Sequence, residues 1–351
     1  MQMAELYREN DKLEGMVNRR EMLTMLAAMP AALLASSTRG HAVSFPSPEE
    51  FLLQCAASIS ACWYLMTRDG LVNVSQQLPK YSSYLFDLAK QPSKYQEKAS
   101  YFASQAYMLM GLIALHHLSV PESLKRRKSY CQQAVISARA SGDITLLIAA
   151  LTHLATACRD VGDLEQALYY NREAVYHMTC YQVSGRLQSK ALAGLALSQA
   201  RSGLIQDALS SIGAAQDVFV GDEEAAPAFL ATDYGRFGLI QFTGFVRLDL
   251  ATHRPEEGHQ KEAEKALTKI DEMPTTIVPM RHAIEIANQR ASVALAMRDL
   301  ESFEQYFLVG ADGAKALGSA KRKQEALTNW KQAMQLWPQE TRIHNLADAL
   351  I

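Results

Sequence analysis

The fold that we predict for this chain follows from residues 148–174, IAALTHLATACRDVGDLEQALYYNREA. Counted from Ile148 as position 1, alanines occupy positions 8, 20 and 27, and a Gly-Asp pair occupies positions 15 and 16. Glycine readily adopts the left-handed conformation that ends a helix, and an aspartate side chain can accept the first free N–H groups of the next helix. The stretch therefore predicts two helices that are joined by a tight turn and approach closely at the alanines.

The same spacing recurs further along the chain. Counted from Ser189, the matching positions are Leu192, Leu195, Ala196, Gly203, Ala208 and Ala215. A weaker third copy, counted from Ile284, comprises Ala287, Ala291, Asp299 and Phe303. Between and after these units we expect single long helices over residues 229–250 and 315–336. Glycine (18) and proline (11) are scarce among the 351 residues, which also favours long helices over a many-stranded β fold.

This pattern resembles the tetratricopeptide repeat (TPR), a helix–turn–helix unit of about 34 residues. Together with the closing Trp337-Pro338 segment, residues 46–351 resemble the carboxy-terminal solenoid of bacterial TPR regulators, in which a helix-turn-helix domain precedes the repeats. The resemblance implies an all-α, right-handed α-solenoid of about seven helical hairpins. It does not cover residues 1–44, into which no DNA-reading helix-turn-helix fits. Repeat motifs specify a fold much better than a function.

The sequence divides into an amino-terminal helical segment, residues 1–45, and the TPR-like α-solenoid, residues 46–351. The first part contains Arg19-Arg20 and then an apolar stretch, which resembles a twin-arginine export signal. The alternative is a short helix that packs its apolar side on the first repeat. The stretch is too short for a bilayer, which takes about 20 apolar residues. The five cysteines lack paired spacing and favour a reducing cytoplasm, so we expect a cytoplasmic protein, with export as the alternative.

No motif in the sequence indicates a catalytic, metal-binding or cofactor-binding site. The 35 Lys and Arg residues nearly balance the 37 Asp and Glu residues, so we expect no direct contact with nucleic acid. The basic run Lys125-Arg126-Arg127-Lys128 is most simply a solvated face, and the adjacent His116 and His117 point to different faces of a helix. Phosphate-binding loops, metal-ligand spacings and nucleophile motifs are all missing. We therefore expect no enzyme activity, no metal and no cofactor.

The family resemblance indicates where a ligand would bind. In TPR solenoids, positions 2, 5, 9 and 12 of each unit line the concave groove. This rule predicts a peptide-binding groove formed by Thr152, Thr156, Arg159, Lys190, Glu285, Asn288 and Ser292. The two basic side chains would meet a carboxylate, and the asparagine could pair with a peptide backbone.

The resulting hypothesis is a non-enzymatic scaffold, a bacterial regulator or adaptor that binds a peptide or protein segment in its groove. One alternative is a DNA-associated regulator that lacks a DNA-binding domain of its own and acts through a partner. The other is an exported scaffold. Trp330, Leu336 and Trp337 near the carboxyl end predict either a homodimer interface or an inward-packed cap of the last repeat.

Overall fold

The structure is a computed structural model that describes residues 23–30, 47–67, 70–117, 120–222, 225–273 and 278–350. All regular elements in these ranges are helices, and the ranges contain no β-strand. This agrees with the predicted all-α class.

The helices follow one another with short connections. The first eight are α1 (Pro48–Leu65), α2 (Leu71–Gln77), α3 (Pro79–Lys90), α4 (Gln96–His117), α5 (Val120–Ser141), α6 (Ile144–Asp160), α7 (Leu164–Cys180) and α8 (Gly185–Arg201). The next eight are α9 (Ile205–Asp217), α10 (Ala228–Ala231), α11 (Arg236–His253), α12 (His259–Thr268), α13 (Met280–Met297), α14 (Leu300–Leu317), α15 (Ala320–Leu336) and α16 (Thr341–Asn345). Short 3-10 turns span Pro255–Glu257, Lys269–Glu272 and Leu346–Leu350.

The helices pack in consecutive pairs, of which α4 with α5, α6 with α7, α8 with α9, and α13 with α14 are examples. The first helix of one pair also contacts the first helix of the next, as α6 contacts α8 and α8 contacts α11. These first helices therefore form one continuous inner surface, and their partners lie outside it.

The repeated small residues lie where the helices approach most closely. Ala155, Ala167 and Ala174 of the first unit are completely buried, as are the alanines at the same positions of the second unit. Gly162 has a left-handed φ of 79°, which a side chain would strain, and it ends α6. Asp163 then accepts a hydrogen bond from the Gln166 N–H at 3.2 Å. The turn chemistry and close packing predicted from the sequence are confirmed in this unit.

Two of the predicted long helices are broken. The expected helix over 229–250 is interrupted at residues 232–235, between α10 and α11, and this break brings Asp233 to the inner surface. The expected helix over 315–336 was wrong, because α14 ends before Gly318, which has a φ of 64°, and α15 begins after it. Sequence periodicity did not reveal either break, since apolar residues continue on both sides.

Part of the apolar stretch that follows the twin arginines forms a helix over residues 23–30. Ala27 is completely buried in the main core, and the Leu26 carbonyl accepts a hydrogen bond from the Ser58 hydroxyl of α1. Arg19 and Arg20 lie outside the described residues. The geometry matches the alternative of a short helix packed on the first repeat. Within the ranges that the structure describes, no helix is long and apolar enough to cross a membrane.

The aromatic residues at the carboxyl end are half-buried in a small terminal core. The Trp330 indole donates a hydrogen bond to the Ile343 carbonyl at 2.9 Å, and the Trp337 ring lies 5.8 Å from that of Phe303. Leu336 packs in the same cluster. These side chains pack inward on their own chain, as in the second of the two interpretations given above, and the homodimer stays a prediction.

The two ends of the helical array meet. Helix α15 contacts α4 and α5, and α10 contacts α1. We call this junction the seam; it comprises Met66, Thr67, His116 and Asp160 on one side and Met280, Arg281, Ser319 and Lys321 on the other. His116 Nδ1 lies 2.7 Å from the Ser319 hydroxyl, and the Met280 N–H donates to the Thr67 carbonyl at 3.3 Å. The seam therefore brings the two sides of the inner surface together around a partly open cavity.

The buried alanines provide a test of the helix packing. Ala167→Leu adds three carbons where α7 meets its neighbours, and overpacking of this kind typically costs about 1–3 kcal/mol. We expect a correspondingly lower urea midpoint. Ala316→Leu, the same change at an exposed position of α14, should leave the midpoint within error. Equal midpoints for the two variants would contradict the close approach at Ala167.

Candidate functional site: a charged cavity on the inner surface

The inner surface forms a partly open cavity of about 280 Å³. Its walls come from α4, α6, α8, α11, α13 and α15, the helices that form the inner layer, with one side chain from α5 and with Asp233 and Tyr234 from the break between α10 and α11. This volume lies just below the range for small-ligand pockets, which is roughly 300–1,000 Å³. The cavity therefore has room for a small ligand or for a few side chains of a larger one.

The structure brings the seven predicted groove residues onto this inner surface. The cavity itself is lined by five of them, Thr152, Thr156, Arg159, Lys190 and Glu285. Asn288 and Ser292 line a more open channel of about 710 Å³ that runs toward α15. Arg201, Gln289 and Glu325 border both spaces, so the channel and the cavity adjoin one another at these side chains.

Asp233 is a carboxylate of the cavity wall that pairs with two cations. Its carboxylate receives Lys190 Nζ at 2.9 Å and an Arg281 guanidinium nitrogen at 3.1 Å, and His153 Nε2 lies 3.4 Å away. Burial is the largest single effect and opposes ionisation, but Lys190, His153 and Arg281 together outweigh it and hold the pKa of Asp233 well below its usual range. Asp233 thus links α8 to α13 through two paired cations.

Two further carboxylates each bind more than one polar partner. Glu285 lies 2.9 Å from Arg322 and accepts a hydrogen bond from the Gln241 amide at 2.9 Å. Asp160 pairs with Arg127, and Lys321 Nζ lies 3.5 Å from its other oxygen. The second of these sets crosses the seam, because Lys321 belongs to α15 and Asp160 to α6.

The predicted groove residues differ in what they can still offer a ligand. Lys190 is already paired with Asp233, and the Thr152 hydroxyl donates to the Ala149 carbonyl at 2.7 Å. Asn288 is almost fully buried, and its amide nitrogen donates to the Arg322 carbonyl at 3.1 Å. Ser292 donates to Asn329 Oδ1 at 2.8 Å. Asn288 Oδ1 has no hydrogen-bond partner, but it is buried against Gly310 of α14 and is therefore not open to a ligand in the channel.

Three buried histidines of the cavity wall are held neutral. Burial, with Lys190 as the next cause, lowers the pKa of His153 to about 3. Burial also lowers the pKa of His116 and of His282, where the nearest cations, led by Arg322 and Arg281 respectively, add to the effect. At neutral pH the charge of the cavity is therefore set by its Lys, Arg, Asp and Glu residues.

Sequence reasoning missed several residues of this site. The basic run at 125–128 is not uniformly a solvated face: Arg126 is exposed, whereas Arg127 is buried against Asp160. Asp233 lay inside a predicted helix, and Arg281 just before a predicted unit. The available signal for Arg127 was its spacing within α5, because only one residue in three or four of such a run can face the neighbouring helix.

No known family model matches the chain, and no curated protein matches it either. Among the described residues, no group of three or more His, Cys, Asp or Glu side chains is arranged to hold a metal ion.

Removing the Asp233 charge tests the paired network. Asp233→Asn leaves the buried Lys190 and Arg281 without their carboxylate, and breaking a buried pair in this way typically costs about 3–5 kcal/mol. We expect a loss of this size in the free energy of unfolding, measured by urea denaturation. Glu301→Gln removes the same charge from an exposed pair with Arg342 and should cost about 0–1 kcal/mol. Similar losses in the two variants would rule out a network of the kind described.

The buried histidines predict loss of stability in mild acid. Because the folded pKa of His153 lies below its unfolded value, the unfolded chain binds the proton first as the pH falls through about 6.5. Each such histidine then lowers the free energy of unfolding by up to about 1.4 kcal/mol per pH unit. We expect the urea midpoint to fall between about pH 7.5 and about pH 5, and to fall less in His153→Gln. A midpoint that is independent of pH, or a variant with the wild-type slope, would contradict buried neutral histidines.

Proposed function

We propose that this chain is a non-enzymatic binding module that holds a peptide or protein segment against its inner surface. The observation that carries the proposal is the partly open cavity together with the adjoining channel, which is more open. They bring residues from units far apart in sequence onto one concave surface, where the TPR resemblance predicted a groove. A segment bound in the channel would reach the cavity at Arg201 and Gln289, where the two spaces join.

The channel walls suit an extended polypeptide. Its lining is dominated by uncharged polar side chains, among them Asn288, Gln289, Asn329, Gln332 and Gln335. Amide side chains both donate and accept hydrogen bonds, as a peptide backbone does. An extended backbone that leaves its own N–H and C=O groups unpaired would find partners of both kinds there.

Within this proposal the fold is a right-handed, TPR-like α-solenoid, and the module acts as a bacterial regulator or adaptor in the cytoplasm. A segment held between the inner helices would contact several repeats at once. Because the seam joins the first helical pairs to the last, an occupied cavity would touch both ends of the array.

A peptide-display selection tests the proposal. Peptides from a randomised library are selected on the wild-type chain, and their affinity is then measured for two variants. Thr156→Trp fills the cavity, whereas Thr179→Trp makes the same change at an exposed position of α7. We expect an affinity loss of about tenfold or more in the first variant and none in the second. Circular dichroism verifies that both variants fold.

Two outcomes would count against a groove-binding module. One is a selection that enriches no peptide on the wild-type chain. The other is a set of peptides that bind both variants equally, because they would then contact a surface other than the cavity.

A further inference from the structure

Arg159 differs from every other basic side chain that lines the cavity. Its side chain is buried, with the residue only 6% exposed, and no carboxylate of the described residues lies within ion-pairing distance. Its guanidinium donates only to the Ser198 and Thr156 hydroxyls, each at 3.3 Å. A guanidinium has five N–H donors, so two long hydrogen bonds to neutral oxygens leave it poorly satisfied.

The charges around the cavity are also unbalanced. Seven Lys or Arg side chains but only four Asp or Glu side chains line it: Arg127, Arg159, Lys190, Arg201, Arg281, Lys321 and Arg322 against Asp160, Asp233, Glu285 and Glu325. Asp249, outside the lining, pairs with Arg201 at 2.9 Å. An excess of two positive charges remains once Asp249 is counted. Arg159 is the one basic side chain of the lining with no carboxylate of the described part of the chain within ion-pairing distance, and Asp160 and Asp249 act on it only from further away.

A buried cation without a counter-charge is unfavourable, since desolvation is not offset by ion pairing. In a stable protein such a group calls for a reason, and here Arg159 lines a partly open cavity that has room for a small ligand. Burial, with Arg201 as the next cause, lowers the pKa of Arg159 to about 10, so it stays charged at neutral pH.

We propose that the cavity binds a ligand through an oxyanion group, a carboxylate or a phosphate, that pairs with Arg159. This inference rests on the proposed function in one respect, that the same cavity is the binding site, and it adds the ligand's charge. A planar guanidinium binds either oxyanion through two parallel hydrogen bonds, and such charge-assisted bonds are strong where water is excluded. The charge excess of two suits a ligand with one or two negative charges.

The proposal predicts opposite effects on stability for two arginines of the cavity wall. Arg159→Met keeps the apolar stem and removes the uncompensated charge, so the ligand-free variant should melt about 2 °C or more above the wild type. Arg281→Met deprives Asp233 of a partner and should melt below it. A lower melting temperature for Arg159→Met would show that the guanidinium stabilises the fold, and would overturn the proposal.

Binding is tested with four small probes at matched ionic strength: acetyl-Glu-Glu-amide, the neutral acetyl-Gln-Gln-amide, succinate and hydrogen phosphate. Calorimetry compares the wild type with Arg159→Met, Arg159→Lys and the exposed control Arg126→Met. We expect the anionic probes to bind the wild type and the control alike. Affinity should fall about tenfold or more in Arg159→Met, and less in Arg159→Lys, which keeps the charge but loses the planar fork.

The probes separate this inference from the proposed function. If the glutamine peptide binds as tightly as the glutamate peptide, and Arg159→Met binds both normally, the groove takes peptides but the anion site is wrong. If succinate or phosphate binds through Arg159 while neither peptide binds, the anion site stands and the peptide-binding function fails. Failure of all the anionic probes to bind the wild type would overturn the inference.

Discussion

A charge that is removed from water is costly unless a nearby partner neutralises it, and ion pairs of this kind connect most of the charged side chains on the inner surface of the chain. The seam closes the helical array, so the side chains of the inner helices face one another across a small cavity. Asp160, Asp233 and Glu285 each meet this requirement by binding more than one basic or polar group. The paired network therefore belongs to the closed arrangement and not to any single helical hairpin.

The network also joins parts of the chain that are distant in sequence. Asp160 lies between Arg127 of α5 and Lys321 of α15, and Asp233 lies between Lys190 of α8 and Arg281 of α13. In a simple stack of repeats each unit contacts only its neighbours, and stability is close to a sum of local terms. Here an ion pair crosses the seam, between Asp160 and Lys321, so the two sides of the array are also joined by a direct contact. A ligand in the cavity would act on this same set of contacts.

Much of the local structure followed from the sequence, because its causes are local. The turn at Gly162 and the buried Ala167 depend on residues within one unit, and the period of small side chains identified them. The break that exposes Asp233 to the cavity depends on how α10 and α11 meet other helices, and no local signal showed it.

The same distinction between local causes and helix packing applies to the candidate site. Arg159 and Lys190 were placed on the inner surface by their repeat positions, which depend only on helical geometry. The pairing of Lys190 with Asp233 depends on how neighbouring helical pairs pack, which brings together residues more than 40 positions apart. The same packing leaves Arg159 with no carboxylate of the described residues within ion-pairing distance. The repeat pattern could therefore say which residues face inward, but not which of them remain available to a ligand.

The central claim is that the array is closed at the seam, and a distance measurement between its two sides tests it most directly. Spin labels are attached at cysteines that replace the exposed His117 of α4 and Lys323 of α15, with the exposed Cys180 changed to serine. The account predicts one short, narrow distance distribution in the ligand-free protein. A broad or long distribution would show an open array. In that case the charges of the inner surface would be solvated, and the paired network and its cavity could not be as described.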